Sequence, residues 1–548
     1  MQHKLKIIPL GGIGEIGKNM TVLEYDGNII IIDCGLSFPD DEMPGIDAVI
    51  PDMTYLETYK DRILGMLITH GHEDHIGAIP YAMQKFRSPI YGTKFTNALI
   101  RHKLEEHRIE NAELIDVVPG DTVTLGPFKT EFIKTSHSIA GACALAISTP
   151  LGTVIHTGDF KIDLTPMDGE PININRFAHY GMRGVLALLS DSTNAERTGV
   201  TPSEREIGKT FEQVFNNAKG RVIVSTFASN VYRMQQVADV AIAHGRIICF
   251  QGRSMEQVVK IAHELGYMHI PDNKIVRVDQ LSDYSPEQIC VMTTGSQGEP
   301  MSGLFRMANA THRLNIGAGD TVIISASAIP GNELGVARVI NQLYDKGAEV
   351  VYDQMADVHV SGHACQEELK MMLAITKPKY FIPVHGESRH LSVHAELGEL
   401  MGVKKENIFI PELGGVIEIT SRSAKRTGTV PCGGVMVDGL AGIEDAVLKD
   451  RKILSEEGLV VVIITMDGET GRLCAPVEII SRGFILMRDA GELIDESTHL
   501  VTEEARAFEG AHKSEYSTIK NTVKSKLKNY LYTRTHRTPM ILPITIEI

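Results

Sequence analysis

Thr69-His70-Gly71-His72-Glu73-Asp74-His75 sets three imidazoles and a carboxylate within six residues. That mixed nitrogen and oxygen donor set suits zinc or a similar borderline metal. Before it, Ile63-Leu64-Gly65-Met66-Leu67-Ile68 is apolar and reads as a buried strand. After it, Ile76-Gly77-Ala78-Ile79-Pro80-Tyr81-Ala82-Met83 reads as the start of a helix. The run is therefore a strand-to-helix loop, where α/β proteins place chemistry. Structural zinc sites are closed by four ligands and are usually rich in Cys. This cluster has no Cys, and its short hop to Asp74 and His75 can feed two adjacent metals, which suits hydrolysis by a metal-bound hydroxide. The alternative, a polar turn whose histidines cap the next helix, suits a lone His rather than four donors.

Other strands end on similar groups. Phe132–His137 ends on an imidazole, Thr153–Asp159 runs to an aspartate, and Val185–Asp191 ends on another. Asp33 closes Asn28–Asp33 and reads either as a partner of a metal-bound His or as a turn residue. The glycine-rich stretch Gly11–Gly17 lacks the helix and spacing of a dinucleotide loop and reads as a β-turn.

From about 205 to 355, strands and helices alternate, starting with Arg221–Ser225, Val231–His244, Arg246–Phe250 and Met255–Leu265. This predicts a parallel sheet flanked by helices. Donor-bearing loops resume at His359–His363 and His385, so the block reads as an insertion. The expected division is 1–204 and 356–425 for the two parts of the first domain and 205–355 for the insert. A glycine-rich linker at 426–455 and a C-terminal domain at 456–548 complete it. A helix from about Ser514 to Leu531 carries an apolar stripe (Ile519, Val523, Leu527) and a basic one (Lys520, Lys524, Lys528). The basic stripe reads as a solvated face or as a surface for RNA or a partner.

At 548 residues the chain holds several domains. No apolar run of about 18 residues predicts a membrane span, and the start has no secretory segment. Seven scattered Cys without a CxxC pair fit a reducing cytoplasm. The net charge of −15 excludes a bulk basic surface, though a local groove with divalent metals can still hold a phosphate backbone.

Taken together, His70, His72, Asp74 and His75 with His137, Asp159 and His385 resemble the ligand set of the metallo-β-lactamase superfamily. The insert resembles its β-CASP nuclease domain. Pro9–Asn19, Leu188–Asn194, Val358–Ala364 and Ile382–Glu387 are similar to the bacterial ribonuclease J family along essentially the whole chain. The resemblance implies an αββα sandwich with an inserted β-CASP α/β domain and a small α+β C-terminal domain. It implies two Zn2+ per chain, with Mn2+ or Mg2+ as alternatives. His70, His72 and His137 would hold one ion, Asp74, His75 and His385 the other, and Asp159 would bridge them. Three protein donors per metal plus a shared carboxylate leave room for a hydroxide nucleophile.

By resemblance His363 is the β-CASP histidine near the scissile phosphate, a candidate general acid or transition-state donor, and Asp191 orients it. On its residues alone, Asp191 also reads as a helix N-cap before Ser192-Thr193-Asn194. Phosphate-binding candidates are Ser229 and Asn230 at a helix start and the loop His359, Val360, Ser361, Gly362 and His363. Ser229 reads equally as a plain N-cap. Phe38 reads as a base-stacking or a core residue. Asp47 and Asp438 match positions that hold a structural Ca2+ in some family members.

The expected activity is a cytoplasmic 5′→3′ exoribonuclease with endonuclease capacity. It would prefer 5′-monophosphate RNA, leave 5′-phosphate and 3′-hydroxyl ends, and serve mRNA decay and rRNA maturation. The expected partners are single-stranded RNA and a second copy, as homodimer or homotetramer, or a paralogous subunit. The main alternative is a weakly active or non-catalytic RNA-binding partner subunit, which the complete set of seven donors argues against. A small-molecule hydrolase leaves the insert unexplained, and His385, which is Val in the DNA-repair branch, disfavours a DNA nuclease.

Overall fold

The structure is a computed structural model that describes residues 3–40, 42–299, 301–328, 332–439, 441–485, 491–508 and 516–548. It resolves into two units, one of Met1–Phe38 with Val49–Val435 and one of Pro39–Ala48 with Met436–Ile548.

The first unit carries two sheets face to face. One has eight strands, in the order Ala424–Thr429, Gly415–Ile419, Leu5–Gly11, Met20–Tyr25, Asn28–Ile32, Ile63–Leu67, Ile90–Thr93 and Leu114–Val117. The other has six, in the order Tyr380–Val384, Val185–Asp191, Gly152–His156, Cys143–Thr149, Phe128–Lys134 and Thr122–Leu125. Inward-facing Leu5, Leu23, Ile30, Phe132, Leu145, Val154, Leu189 and Ile382 pack between them as one core. The opposite face of the six-stranded sheet buries Ile133, Ile155, Leu188 and Phe381 against the helices Ile174–Arg183, Gln366–Thr376 and Ser388–Leu400. The strands need apolar residues on both faces because both faces are covered.

The insert holds a five-stranded, all-parallel sheet in the order Ile247–Gln251, Ile289–Thr293, Val222–Ser225, Thr321–Ile324 and Glu349–Tyr352. Parallel pairing demands crossover helices, and Val231–Ala243, Arg253–Glu264 and Glu333–Asp345 supply them. After the insert, Tyr380–Val384 returns to pair in parallel with Val185–Asp191.

In the second unit Leu459–Met466 lies between Glu478–Arg482 and Met540–Glu547. Its buried alternate residues Val460, Val462, Ile464 and Met466 pack against the helices Gly491–Arg506 and Tyr516–Thr535. The expected helix start at Ser514 lies outside the described residues, and so does Leu440 of the expected linker. The rest of 426–455 is built rather than open. It contains the strand Gly434–Asp438 and the helix Asp445–Glu456, because its apolar residues recur too sparsely to reveal regular structure before packing. Among the described residues, no helix is long and apolar enough to cross a membrane.

Candidate metal centre

Phe128–Lys134, Gly152–His156 and Tyr380–Val384 run in one direction within the six-stranded sheet, and the donors at their C-terminal ends meet those that follow Ile63–Leu67 of the other sheet. His70 follows Ile63–Leu67, His137 follows Phe128–Lys134, Asp159 follows Gly152–His156 and His385 follows Tyr380–Val384. Asp74 and His75 sit not on an open loop but in a one-turn helix, Glu73–Ile76. Gly77 and Ala78 separate it from the helix Ile79–Lys85. The single turn carries Asp74 and His75 into a second cluster, although the His75 ring stays 4.0 Å from that of His70.

The structure brings all seven expected donors together as two groups that share Asp159. In the first, His70 Nε2 and His137 Nε2 each lie 3.1 Å from His72 Nδ1 and 3.5 and 3.6 Å from Asp159 Oδ2. In the second, His75 Nε2 and His385 Nε2 lie 3.3 and 3.7 Å from Asp159 Oδ1. Asp74 Oδ2 lies 3.5 Å from His75 Nε2 and 3.2 Å from His385 Nε2. Each carboxylate oxygen of Asp159 thus faces its own cluster.

Hydrogen bonds behind the rings fix which nitrogen is bare. Thr69 Oγ1 donates to Asp33 Oδ2 at 2.8 Å, so it accepts from His70 Nδ1 at 3.0 Å and leaves His70 Nε2 with its lone pair. Thr193 Oγ1 donates to Asp191 Oδ1 at 2.8 Å, so it accepts from His385 Nδ1 at 2.5 Å and bares His385 Nε2. His137 Nδ1 donates to the Gly362 carbonyl and His75 Nδ1 to Asp33 Oδ2. Partners of this kind orient metal-binding histidines and raise their basicity. Asp33 therefore acts as a histidine partner as well as ending its strand, with φ of 58°.

Electrostatics separate the two clusters. Burial lowers the pKa of His70, that of His72 to about 4 and that of His137 to about 3, so these rings are neutral bases near pH 7. Burial also opposes charge on His75 and His385, but Asp159 with Asp74, Asp33 and Asp191 outweighs it and raises both well above the ordinary value. The second cluster is thus the more negative environment. Asp159 Oδ1 is buried and has no hydrogen-bond partner among the described residues. Asp74 and two imidazoles on one side of Asp159, and three imidazoles on the other, are donor types that divalent metals take. The residues present therefore fit a pair of divalent metal ions.

His363 lies beside this centre, its ring 5.1 Å from that of His137 and 5.5 Å from that of His385. Its Nδ1 is 2.8 Å from Asp191 Oδ2. Burial opposes a charged His363, but Asp191 outweighs it and raises its pKa. Asp191 also accepts from the Thr193 amide at 3.0 Å, but only a turn follows at 193–196, so the expected helix N-cap is a turn-forming contact instead.

The phosphate-loop candidates are wired to one another. Asn230 Oδ1 accepts from the Arg233 amide at 3.1 Å, so Asn230, and not Ser229, is the side-chain N-cap of its helix. Arg233 is fully buried, grips Glu204 through two nitrogens and donates to the Val360 carbonyl at 3.2 Å. Ser361 Oγ accepts from Asn194 and from the His363 amide, which leaves its own proton to give. His359 Nδ1 is tied to Ser327 Oγ at 2.8 Å. Gly362 has no room for a side chain, since a Cβ there would lie 2.5 Å from His137 Cε1. Phe38 is 72% exposed, so it is not a core residue.

Asp47 and Asp438 do meet, in the second unit. The Asp47 amide donates to the Val437 carbonyl and Asp47 Oδ2 accepts from the Gly439 amide. Asp438 is paired with Arg451 at 2.6 Å, however, and among the described residues no group of three metal donors includes either aspartate. A guanidinium already supplies the positive charge that the expected Ca2+ would bring.

Three contributors escaped sequence reading: Thr69, Thr193 and Asn19. Asn19 Nδ2 donates to Asp74 Oδ2 at 3.2 Å. The only sequence signal was position, since Thr69 adjoins His70 and Thr193 stands two residues after Asp191. The glycine-rich turn also serves the site. Gly12 has φ of 73° and its carbonyl accepts from the His385 amide at 3.0 Å.

Two donor clusters bridged by one carboxylate at the ends of paired sheets, with a parallel insert beside them, define a metallo-β-lactamase-fold, metal-dependent nuclease of the β-CASP class. Residues 13–189 match the metallo-beta-lactamase superfamily, and 219–343 match the Ribonuclease J beta-CASP domain. Residues 348–411 match the Zn-dependent metallo-hydrolase RNA specificity domain, and 446–548 the Ribonuclease J C-terminal domain. The chain belongs to the ribonuclease J family. It is 41% identical to Ribonuclease J2 of Bacillus subtilis, over 100% of this chain and 99% of that one. It is 42% identical to Ribonuclease J of Thermus thermophilus, over 100% and 96%. A solved protein of unknown function from Enterococcus faecalis V583 shares the fold, with TM-score 0.52 at 15% identity over 76% of this chain and 100% of that one.

Proposed function

We propose that this chain is a two-metal ribonuclease that degrades RNA from a 5′-monophosphate end and also cuts internally, in mRNA decay and rRNA maturation. The observation that carries the reading is Asp159, whose two oxygens each face a separate set of histidines. The metal ligands proposed are His70, His72, His137, Asp74, His75, His385 and the bridging Asp159, and zinc is the proposed ion.

Bound divalent ions supply Lewis acidity, which activates water and offsets charge on the phosphate. The protein's part is position and protons. Thr69, Thr193, Asp33 and the Gly362 carbonyl hold the rings so that no bond to them needs reorganising. His363, held through Nδ1 by Asp191, keeps Nε2 for the phosphate or the leaving 3′-oxygen. Ser361, with its proton free to give, and the amides of the 359–363 loop are the proposed holders of a 5′-phosphate or backbone phosphate, with Ser229 and Asn230 as further candidates. Cytoplasmic location and assembly with a second copy or a paralogue belong to the same proposal.

The test is cleavage of matched RNAs bearing 5′-monophosphate, 5′-triphosphate or 5′-hydroxyl ends, alongside the same DNA sequence. Mononucleotide release from the 5′-monophosphate RNA, with metal content near two ions per chain, supports the reading. Unchanged cleavage by His72→Ala would remove the two-metal assignment. A metal content near zero together with RNA binding would favour the non-catalytic partner.

A further inference from the structure

The helix Tyr516–Thr535 divides its cations into two kinds. Ile519, Val523, Leu527 and Leu531 form its buried ridge. One flank of that ridge faces the helix Gly491–Arg506 and is neutralised. Lys526 pairs with Glu504, Tyr530 donates to Glu496, and Arg534 lies 3.3 Å from Glu496. The other flank is the row one residue on, at Lys520, Lys524, Lys528 and Tyr532, turned about 100° from the ridge. Lys524 and Lys528 are exposed and Lys520 is half-buried. None of the three has an ion pair or side-chain hydrogen bond among the described residues.

Three unpaired ammonium groups in a row repel one another, and nearby carboxylates were available to the other flank but not used here. A step of four residues advances the helix by about 6 Å, comparable to the spacing of successive phosphates along a nucleic-acid strand. The row then ends in an aromatic side chain. Tyr532 is 53% exposed, with its ring in edge contact with His536 at 5.9 Å. Lysines at phosphate spacing that lead to an open ring match the two components of single-strand binding, backbone charge and base stacking. In a chain of net charge −15, this local row is where a polyanion finds attraction.

We propose that Lys520, Lys524, Lys528 and Tyr532 form an accessory tract for single-stranded RNA on the C-terminal unit. The choice of RNA among polyanions rests on the ribonuclease reading above. The tract is a binding surface only and takes no part in bond cleavage.

The test is binding of a 3′-labelled, 20-nucleotide oligouridylate to the full chain, silenced by His72→Ala, across a salt series. Each phosphate neutralised on a single strand contributes about 0.7 to the slope of log affinity against log salt. The triple variant Lys520→Gln, Lys524→Gln, Lys528→Gln should lower that slope by about 2. A control with Lys209→Gln, Lys260→Gln and Lys405→Gln should leave it unchanged. Tyr532→Leu should weaken binding about fivefold or more at constant slope, because stacking releases no counterions. An unchanged slope in the triple variant overturns the tract. If sedimentation then shows a smaller assembly, the face joins protein chains instead. The ribonuclease reading is checked separately, by whether the chain without His72→Ala cleaves the same RNA. Absence of cleavage overturns that reading and leaves the salt slope to decide the tract.

Discussion

Asp191 Oδ2 lies 2.8 Å from His363 Nδ1 while its Oδ1, through Thr193, fixes the tautomer of His385. One carboxylate thus serves both a donor ring beside the metal centre and a ring within it. The two roles are separable by mutation. His363→Gln removes the donor and keeps Asp191 free to hold Thr193. Its kcat should fall about 10²- to 10⁴-fold, with KM and metal content little changed. Steady-state kinetics with elemental analysis of the purified protein check this, and loss of metal in His363→Gln would count against the assignment.

Thr69 and Thr193 each pass a carboxylate's pull to a histidine through a hydroxyl. Valine keeps the shape and deletes that relay. Thr69→Val and Thr193→Val should each weaken metal binding about 10- to 100-fold, the first in the His70 cluster and the second in the His385 cluster. Competition with a chelator of known affinity measures it. Affinity equal to the parent chain in both variants would show that the relays do not tune the rings.

Gly362 is required by space. A Cβ there would meet His137 Cε1 at 2.5 Å and His137 Nδ1 at 2.6 Å, so the loop or the ring must move. Gly362→Ala should therefore lower metal occupancy and cleavage while thermal unfolding of the metal-free chain changes little. Metal occupancy at the parent level would indicate that the loop yields and the ring does not.

His394 is buried beneath the site, with Nδ1 2.9 Å from Ser192 Oγ and its ring 4.8 Å from Phe381. Burial lowers its pKa to about 3, against only a weak opposing pull from Asp191. Below the ordinary value of 6.5 the unfolded chain gains a proton that the folded chain refuses. Stability from this group is therefore full above pH 6.5 and falls with pH down to about 3. One proton corresponds to about 1.4 kcal/mol per pH unit. His394→Gln should flatten the stability profile of the metal-free chain by about 2 kcal/mol between about pH 6.5 and 4.5. Denaturant titrations at the two pH values measure the difference, and parallel profiles would refute it.

Much of this centre was legible in the chain itself. His70, His72, Asp74 and His75 are neighbours in sequence, His137 and Asp159 each follow an apolar run that reads as a strand, and His385 was implied by the family resemblance. Phe128–Lys134, Gly152–His156 and Tyr380–Val384 point the same way in one sheet, so donors after their C-terminal ends share one edge of it. The insert was legible too, because parallel sheets alternate with helices at a regular period. Hydroxyl relays have no such signature. Thr69 and Thr193 became recognisable only once two oxygens and two rings stood within hydrogen-bonding distance.

By itself the sequence determined the donor chemistry and the strand-helix alternation of the insert, since both follow from side-chain type and hydrophobic period within short windows. The αββα sandwich was implied only by the family resemblance. Only the tertiary structure decided which oxygen of Asp159 faces which cluster, and which nitrogen of each ring is bare. It also decided that Arg451 occupies Asp438 and that one flank of the last helix is paired while the lysine row on the other is not. Those outcomes depend on contacts between residues tens to hundreds of positions apart, and local periodicity carries no record of them.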